Sequence, residues 1–262
     1  MMQFYKYHGA GNDFIIFNFL EKEIDISEEK RKQLCNRHTG IGADGVMYLL
    51  PSKKYHFEMK YFNADGKEGS MCGNGGRCMI SFAYDMGLIE DNYNFYAVDG
   101  EHSGHILEIN DKEKIIELQM ADVSDVKEIK GQMILNTGSP HYVDFRDEIS
   151  QMNVYEEGKI IRNSVSFKKE GINVNFVEID GDRLKVRTYE RGVENETLAC
   201  GTGVTAAAIA ASIKQNGKFQ NYVIQTLGGK LRVRFRFGND RKFSQIFLTG
   251  PASFVYTGVW EH

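Results

Sequence analysis

Two short segments of the chain carry the same pattern 128 positions apart. Residues 71–77 read Met-Cys-Gly-Asn-Gly-Gly-Arg and residues 199–204 read Ala-Cys-Gly-Thr-Gly-Val, so each segment places a cysteine before a glycine-rich turn and an apolar run. Outside these segments, Tyr61 and Tyr189 keep the same offset. We infer that the chain contains two copies of one module, which restricts the fold to two equivalent halves.

The two cysteines, Cys72 and Cys200, occupy equivalent positions in the two copies. If the copies face each other across a pseudo-twofold axis, the two thiols flank one cleft, one on each side of a bound molecule. A cysteine at the N-terminus of a helix has its pKa lowered toward neutrality by the helix dipole and the free backbone N–H groups. The pattern therefore predicts acid/base chemistry with an acid on one face and a base on the other.

The glycine-rich turns after the cysteines predict a binding site for a carboxylate. Gly73, Asn74, Gly201 and Thr202 belong to turns whose backbone N–H groups are exposed with few side chains in the way. Two such turns can hold one carboxylate. They would then stabilise the negative charge that develops when the adjacent carbon loses its proton.

The length of the chain favours two domains. Its 262 residues divide into halves of about 130, which is close to the commonest domain size. We predict an N-terminal half over residues 1–118, carrying Cys72, and a C-terminal half over residues 119–262, carrying Cys200. The final strand, near residues 250–262, is expected to be able to return to the first half.

Hydrophobic periodicity predicts an α/β (α+β) fold. Strands dominate both halves and form mainly antiparallel hairpins, and helical patterns occupy residues 27–37, 73–86, 147–158 and 202–214. The last of these helices is rich in alanine and apolar nearly all round, so we expect it to be buried. A curled sheet around a central helix in each half explains this pattern.

Charge and composition restrict the partners. The formal net charge is -4, whereas nucleic-acid binding requires a basic surface. The N-terminus lacks the charged start and apolar core of a signal peptide, and no stretch is long and apolar enough for a membrane helix. We therefore expect a cytoplasmic protein with no nucleic-acid or membrane partner, whose four cysteines are thiols. Zinc is disfavoured because Cys72 and Cys78 have five residues between them, and no paired histidines follow.

The chain resembles the diaminopimelate epimerases, a family of pyridoxal-phosphate-independent epimerases built from two pseudo-symmetric α/β halves. The resemblance runs nearly end to end and is carried by several short motifs. These are residues 8–14 (HGAGNDF), 40–45 (GIGADG), 62–66 (FNADG), 71–78 (MCGNGGRC), 138–141 (GSPH), 190–192 (ERG) and 199–203 (ACGTG).

This resemblance implies roles for individual residues. Cys72 and Cys200 would be the catalytic pair, one removing the Cα proton and the other delivering a proton to the opposite face, with no cofactor and no metal. The implied substrate-binding residues are Asn12, Asn63, Gly73, Asn74, Asn173, Glu190, Arg191, Gly201 and Thr202, with His141 in a supporting position. An arginine fork suits a carboxylate, and a glutamate and a histidine beside a thiol pair can tune its protonation.

Two positions depart from the family pattern. Ser139 stands where many relatives have asparagine before Pro-His, and Gly45 stands where some have glutamine. Serine keeps a hydrogen-bonding group but has a shorter reach than asparagine. Asp44 and Asp65 are interpreted as turn or capping residues and are left outside the site.

The expected function is epimerisation of LL-2,6-diaminopimelate, a small-molecule amino-acid substrate, to the meso form, in lysine and peptidoglycan precursor biosynthesis. The resemblance also implies a homodimer. Oxidation that joins Cys72 to Cys200 is expected to stop catalysis. One alternative is another two-thiol racemase, acting on proline, hydroxyproline or histidine; the asparagine of Cys-Gly-Asn-Gly and the Glu190-Arg191 pair speak against it. Another is a dithiol redox sensor without isomerase activity.

Overall fold

The computed structural model describes residues 1–238 and 242–261, and its backbone divides into two compact units. Unit 1 consists of Met1–Leu118 and the chain from Gly250 onward, and unit 2 consists of Gln119–Thr249. Each unit combines one long buried helix, one shorter helix and a sheet of mixed strand direction.

Unit 1 contains seven strands and two helices, and residues 250–260 of the last strand of the chain also belong to it. In chain order they are β1 (Met2–Gly9), β2 (Asn12–Asn18), α1 (Glu28–Cys35), β3 (Gly45–Leu50), β4 (Phe57–Asn63), α2 (Gly73–Asp85), β5 (Tyr93–Ala97), β6 (Gly100–Ile109) and β7 (Glu113–Met120).

Unit 2 contains the remaining elements. In chain order they are β8 (Val126–Ile129), β9 (Gln132–Asn136), β10 (Pro140–Phe145), a 3-10 turn (Ile149–Gln151), α3 (Val154–Arg162), β11 (Asn173–Asp180), β12 (Arg183–Glu190), β13 (Asn195–Thr197), α4 (Gly201–Lys214), β14 (Asn221–Thr226), β15 (Gly229–Phe237) and β16 (Phe243–Trp260).

The strands of the two units pair in the same order of directions. In unit 1, β1 and β2 are antiparallel, β2 and β3 parallel, β3 and β4 antiparallel, β4 and β5 parallel, and β5 to β7 antiparallel. In unit 2, β9 to β12, β14, β15 and β16 repeat this series pair by pair. The duplicated cysteine segments are therefore part of a duplicated fold.

The sheet of unit 1 closes on itself through β16. Residues 253–260 of β16 pair antiparallel with β1, and Ser253 and Phe254 hydrogen-bond to Glu113 and Lys112 at the start of β7. In unit 2 a bridge between Val123 and Phe243 joins the chain just before β8 to the start of β16. Each sheet therefore curves enough to surround a helix.

The central helices α2 and α4 are buried for most of their length. Residues 73–83 of α2 are all buried, and α2 packs against β1, β2, β3 and β6. In α4 the alanines keep the helix narrow, and it packs against β9 to β12, β14 and β15. This is the predicted α+β fold, with a central helix in each half. The described part of the chain has no helix with the length and apolar character needed to cross a membrane.

The structure corrects two expectations about single elements. The helix predicted over residues 147–158 begins only at Val154, because Glu148 has a left-handed backbone (φ 55°) and the Asn153 side chain caps the later start by accepting from the Glu156 N–H. The sequence pattern predicts two short strands near the C-terminus, at residues 245–249 and 253–256, but the structure has one continuous strand, β16, which tolerates Pro251 within it.

Candidate functional site

Cys72 is the N-cap residue of α2, as the sequence pattern predicts. Its Sγ accepts a hydrogen bond from the backbone N–H of Gly75 at 3.2 Å, so the sulfur caps the first turn of the helix. A Cβ added at Gly75 would lie only 3.2 Å from this sulfur and 3.2 Å from Met47 Sδ. Glycine at this position therefore lets the thiol lie directly against the helix N-terminus, where anions are favoured.

Asn12 lies beside Cys72 and is held there by two further residues. The Sγ of Cys72 is 4.0 Å from Asn12 Oδ1, and Asn74 Nδ2 donates to the same oxygen at 3.3 Å. The other side of the Asn12 amide donates to Asp44 Oδ2 at 2.7 Å. Because Asp44 accepts from Nδ2, the Asn12 carbonyl oxygen must face Asn74 and the thiol.

A chain of charges holds Asp44 and its neighbour Asp13 in place. Arg37 Nη2 lies 2.6 Å from Asp13 and 2.7 Å from Asp44, while buried Lys6 Nζ lies 2.6 Å from Asp13 and donates to the Gly42 carbonyl. Burial raises the pKa of Asp13, but the hydrogen bonds from Arg37 and Lys6 outweigh burial and bring the pKa down to about 2. Asp13 is therefore ionised at neutral pH and gives the cluster a fixed anion.

Asn63 and Gly45 lie at paired positions of β4 and β3. Asn63 is exposed at the end of β4, where its backbone pairs with Lys67 and Gly66. Gly45 permits a close approach between strands, because a Cβ there would lie 2.6 Å from the Phe62 carbonyl oxygen. Gly45 thus allows the backbones of β3 and β4 to fit together and supplies no side-chain contact.

Cys200 is the N-cap residue of α4 in unit 2, again as predicted. It is 8% exposed, and its Sγ lies 3.4 Å from Thr202 Oγ1. A Cβ added at Gly203 would lie 3.3 Å from this sulfur and only 2.5 Å from Asn175 Oδ1. The backbone of Thr202 is held by the Thr137 hydroxyl, which donates to the Thr202 carbonyl at 2.9 Å.

A buried polar pair lies beneath the start of α4. His141 and Asn175 are both fully buried, and Asn175 Nδ2 lies 3.1 Å from His141 Nδ1 and donates to the Tyr142 carbonyl at 3.1 Å. Thr188 Oγ1 donates to Asn175 Oδ1 at 3.0 Å, which fixes the amide orientation. An amide N–H can only donate, so His141 Nδ1 accepts and the ring proton is on Nε2.

Burial keeps His141 neutral. Loss of hydration, assisted by the positive charge of Arg191, lowers the pKa of His141 to about 3. Its Nε2 is buried and has no hydrogen-bond partner among residues 1–238 and 242–261. At neutral pH the ring is therefore uncharged, and its Nε2–H is a hydrogen-bond donor.

Asn173, Ser139 and Arg191 form a second hydrogen-bonded group in unit 2. Asn173 Nδ2 donates to Ser139 Oγ at 2.9 Å and to the Pro140 carbonyl at 3.1 Å, while its Oδ1 accepts from the Arg191 N–H at 2.9 Å. The guanidinium of Arg191 is exposed and donates to the Glu170 carbonyl at 3.0 Å. Ser139 thus anchors the side chain of Asn173.

The last predicted residues lie at the two ends of the segment that joins β12 to α4 and contains β13. Glu190, the final residue of β12, accepts from the Thr197 hydroxyl at 2.9 Å. Gly201, the first residue of α4, has its carbonyl held by the Thr205 hydroxyl at 2.9 Å. The described residues contain no group of three or more His, Cys, Asp or Glu side chains that could hold a metal ion, and all four cysteines are thiols.

Comparisons with known proteins identify the family of this duplicated arrangement. A sequence model of diaminopimelate epimerase matches residues 4–125 and 133–255. The chain belongs to the diaminopimelate epimerase family. The diaminopimelate epimerase of Flavobacterium psychrophilum is 44% identical over 97% of this chain and 98% of its own, and that of Aquifex aeolicus is 36% identical over 98% and 97%.

A solved structure supports the fold independently. A phenazine biosynthesis protein of the PhzF family from Bacillus anthracis superposes with a TM-score of 0.77, over 99% of both chains, at 14% identity. At that identity the match bears on the fold alone. The diaminopimelate epimerase fold predicted from the sequence is therefore confirmed both by sequence relatives and by structure.

Within this member of the diaminopimelate epimerase family, sequence reasoning missed three residues of the two thiol environments. The sequence predicts Asp44 to be a turn or capping residue, but the structure shows that it orients Asn12. Asn175 and Arg77 were not singled out, although both are fully buried polar groups near an N-cap cysteine. For Arg77 a signal existed, since an arginine among the apolar residues of a central helix has no solvent to reach.

Proposed function

We propose that the protein epimerises LL-2,6-diaminopimelate to meso-diaminopimelate by a two-thiol acid/base mechanism. The main observation in support is that Cys72 and Cys200 are the N-cap residues of the central helices in two units that share one strand order. The diaminopimelate epimerases at 36 to 44% identity across the whole chain support the substrate.

The chemistry requires one carbon to be reached by both sulfurs. In one direction a thiolate takes the Cα proton, and the electron pair of the broken C–H bond is delocalised into the adjacent carboxylate. The second thiol then gives its proton to the opposite face of Cα, which inverts the centre. No electrons are exchanged with a second reactant, so the proposed reaction uses no cofactor and no metal.

The two N-cap turns supply stabilisation for the carbanion. The N–H groups of the first turn of each central helix are presented by Gly73 and Asn74 in unit 1 and by Gly201 and Thr202 in unit 2. Hydrogen-bond donors aimed at developing negative charge typically contribute about 10²- to 10³-fold in rate. We assign the reacting carboxylate to these turns and the distal end of the amino acid to Arg191, with Asn12, Asn63, Asn173 and Glu190 as further binding residues.

The biological setting is part of the same proposal. We place the activity in lysine and peptidoglycan precursor biosynthesis, in the cytoplasm, and we propose a homodimer. Light scattering of the purified protein tests the dimer separately from the activity.

Proton NMR in heavy water tests the function directly. Reduced enzyme is incubated with LL-diaminopimelate in one tube and with L-proline in another. We expect deuterium to enter Cα of diaminopimelate together with conversion to the meso isomer, and no exchange in proline. Exchange in proline alone would keep the two-thiol mechanism and reject the substrate.

A third outcome separates an isomerase from a dithiol sensor. If folded protein with titratable thiols exchanges neither amino acid, and instead consumes peroxide with loss of two thiols, the epimerase proposal is wrong. A Cys35→Ala variant is a suitable control for thiol counting, because Cys35 is buried and burial raises its pKa to about 11.

A further inference from the structure

Arg77 is a fully buried cation on the second turn of α2. It is 0% exposed, and its guanidinium folds back toward the helix N-terminus. Nη1 donates to the Gly73 carbonyl at 3.1 Å, Nη2 to Asn74 Oδ1 at 2.8 Å, and Nε to the Pro251 carbonyl at 3.4 Å. All three acceptors are uncharged oxygens.

Such a charge is costly without an anion. Arginines are almost never fully buried unless they are paired, and an isolated buried ion is strongly disfavoured. Arg77 also points at the positive end of the α2 dipole, where a cation is disfavoured again. Yet no carboxylate in the described chain is within ion-pair distance of Arg77.

Arg77 stays charged, and the nearest buried thiol does not ionise to balance that charge. Burial lowers the pKa of Arg77 to about 10, so the guanidinium remains charged at neutral pH. The neighbouring thiol of Cys78 is fully buried, and burial raises its pKa, so Cys78 stays neutral. Cys78 and Cys72 are the ionisable groups whose charge acts on Arg77, so a neutral Cys78 leaves Cys72 as the candidate counter-ion.

Cys72 is the group in position to be that anion. Its sulfur already accepts the Gly75 N–H at 3.2 Å, and in the same helix turn the guanidinium of Arg77 donates to the Gly73 carbonyl at 3.1 Å and to Asn74 Oδ1 at 2.8 Å. The negative charge of an ionised Cys72 also favours the charged form of Arg77. Each group thus stabilises the charged form of the other.

Unit 2 shows that the fold does not require an arginine here. The position equivalent to Arg77, at the same offset of 128 residues, is Thr205. Thr205 is also fully buried, and its hydroxyl donates to the Gly201 carbonyl at 2.9 Å. A neutral residue thus satisfies the same backbone oxygen in unit 2, so the charge of Arg77 needs a separate explanation.

We propose that Arg77 is the counter-ion of an ionised Cys72, so that Cys72 is the resting base and Cys200 the resting acid. Arg77 is then a positioning residue that acts through Cys72. This deepens the proposed function and rests on it only for the roles of base and acid.

The pairing gives the reaction a starting direction. Cys72 takes the Cα proton and becomes a thiol, and Cys200 gives up its proton and becomes a thiolate. After one turnover the proton is therefore on Cys72, and Cys200 is the thiolate. Before the next turnover in the same direction, one proton must leave Cys72 for solvent and one must return to Cys200.

Alkylation of the cysteines as a function of pH tests the pairing without any substrate. Reduced full-length protein is treated with iodoacetamide, which reacts with thiolates, and peptide mass spectrometry follows each cysteine separately. We expect the midpoint of Cys72 labelling to lie below that of Cys200. In Arg77→Gln we expect the Cys72 midpoint to rise by about one to three pH units, the usual effect of losing an adjacent opposite charge, while the Cys200 midpoint stays unchanged.

Two further variants separate charge from packing. Arg77→Lys keeps the charge and should restore part of the shift, whereas Thr205→Val, the matched change in unit 2, should leave the Cys72 midpoint unchanged. An unchanged Cys72 midpoint in folded Arg77→Gln would overturn the proposal, as would equal shifts at both cysteines. If Arg77→Gln does not fold, the wild type still decides, because equal midpoints for Cys72 and Cys200 would reject the pairing.

Discussion

The two thiol environments share a backbone and differ in the residues beneath it. In unit 1 the strand position facing Gly75 is Met47, and Phe14 pairs with the first residue of β3. In unit 2 the corresponding residues are Asn175, which faces Gly203, and His141, which pairs with the first residue of β11.

We call the residues beneath each N-cap turn its floor: Phe14 and Met47 in unit 1, and His141 and Asn175 in unit 2. Unit 1 has an apolar floor and a buried charge, the guanidinium of Arg77. Unit 2 has a neutral polar floor and an uncharged residue, Thr205, at the position equivalent to Arg77. Duplication of a fold thus supplies two cysteines in equivalent geometry. Substitution around them supplies the chemical difference that an acid and a base require.

Removing either thiol is the change with the largest expected effect. Cys72→Ala and Cys200→Ala should each lower turnover of LL-diaminopimelate by about 10²- to 10⁴-fold, the usual contribution of a general acid or base. Conversion to the meso isomer is measured by NMR. Cys35→Ala, which removes a buried thiol of unit 1 that lies outside the N-cap turn, should change turnover little. If one alanine variant kept full turnover, the two-thiol mechanism would fail.

The two units should respond to different ranges of acid pH. Burial lowers the pKa of His141 from 6.5 to about 3, so the unfolded chain binds a proton that the native state refuses. Stability from His141 is therefore complete above pH 6.5 and is lost as pH falls toward 3. Between pH 6.5 and pH 3 the free energy of unfolding falls by about 1.4 kcal/mol for each pH unit. Asp13, with its pKa lowered from 3.8 to about 2, loses its contribution only below pH 3.8.

Replacing the floor residues of unit 2 with those of unit 1 tests this difference in the pH dependence of stability. The double variant His141→Phe/Asn175→Met gives unit 2 the floor residues of unit 1, and it should lose the pH dependence of unfolding between about pH 6.5 and 5. The variant is expected to be less stable at neutral pH, because Thr188 loses its acceptor. Urea unfolding at several pH values measures the slope. An Asp13→Asn control should keep it, and a double variant with the wild-type slope would contradict the assignment to His141.

The glycines that face these floors should tolerate alanine to different extents. A Cβ at Gly203 meets the Oδ1 of a fully buried and hydrogen-bonded Asn175 at 2.5 Å, whereas a Cβ at Gly75 meets the flexible Met47 at 3.2 Å. We expect Gly203→Ala to lower the free energy of unfolding by about 1 to 3 kcal/mol, and Gly75→Ala by less than about 1 kcal/mol because methionine adapts. Denaturant titration compares them. Equal losses of unfolding free energy in the two variants would show that the Asn175 amide moves aside as easily as the Met47 side chain.

The sequence predicted the parts of the site that are local along the chain. Both cysteines lie at N-caps because glycine turns before apolar helical runs are recognisable in a single segment. The His141–Asn175 pair joins residues 34 positions apart, and the Asn12–Asp44 bond joins residues 32 apart. Both depend on which strands lie in parallel, in the pairs β10 with β11 and β2 with β3. Periodicity predicts strands but not their partners, so these contacts required the structure.

The two asparagines at the strand ends are held by partners of different charge, which predicts unequal consequences for activity. Asn12 donates to the carboxylate of Asp44, and Asn173 donates to the hydroxyl of Ser139 and also to the Pro140 carbonyl. A hydrogen bond to a charged group contributes about 1.5 to 3 kcal/mol, against about 1 kcal/mol for a neutral one. Asp44→Ala leaves the Asn12 amide without its acceptor, whereas Ser139→Ala leaves Asn173 with Pro140.

We therefore expect Asp44→Ala to lower kcat/KM by about tenfold or more and Ser139→Ala by about fivefold or less. Asp44 acts through Asn12 beside Cys72, so its loss should reduce kcat as well as raise KM; Ser139 anchors a residue implied in binding, so its loss should raise KM alone. Asp44→Asn keeps the size of the side chain and an acceptor oxygen, and should recover part of the activity if orientation of Asn12 is what matters. A larger defect in Ser139→Ala than in Asp44→Ala would reverse the ranking, because it would place the more demanding anchoring at the distal end of the substrate instead of beside the thiol.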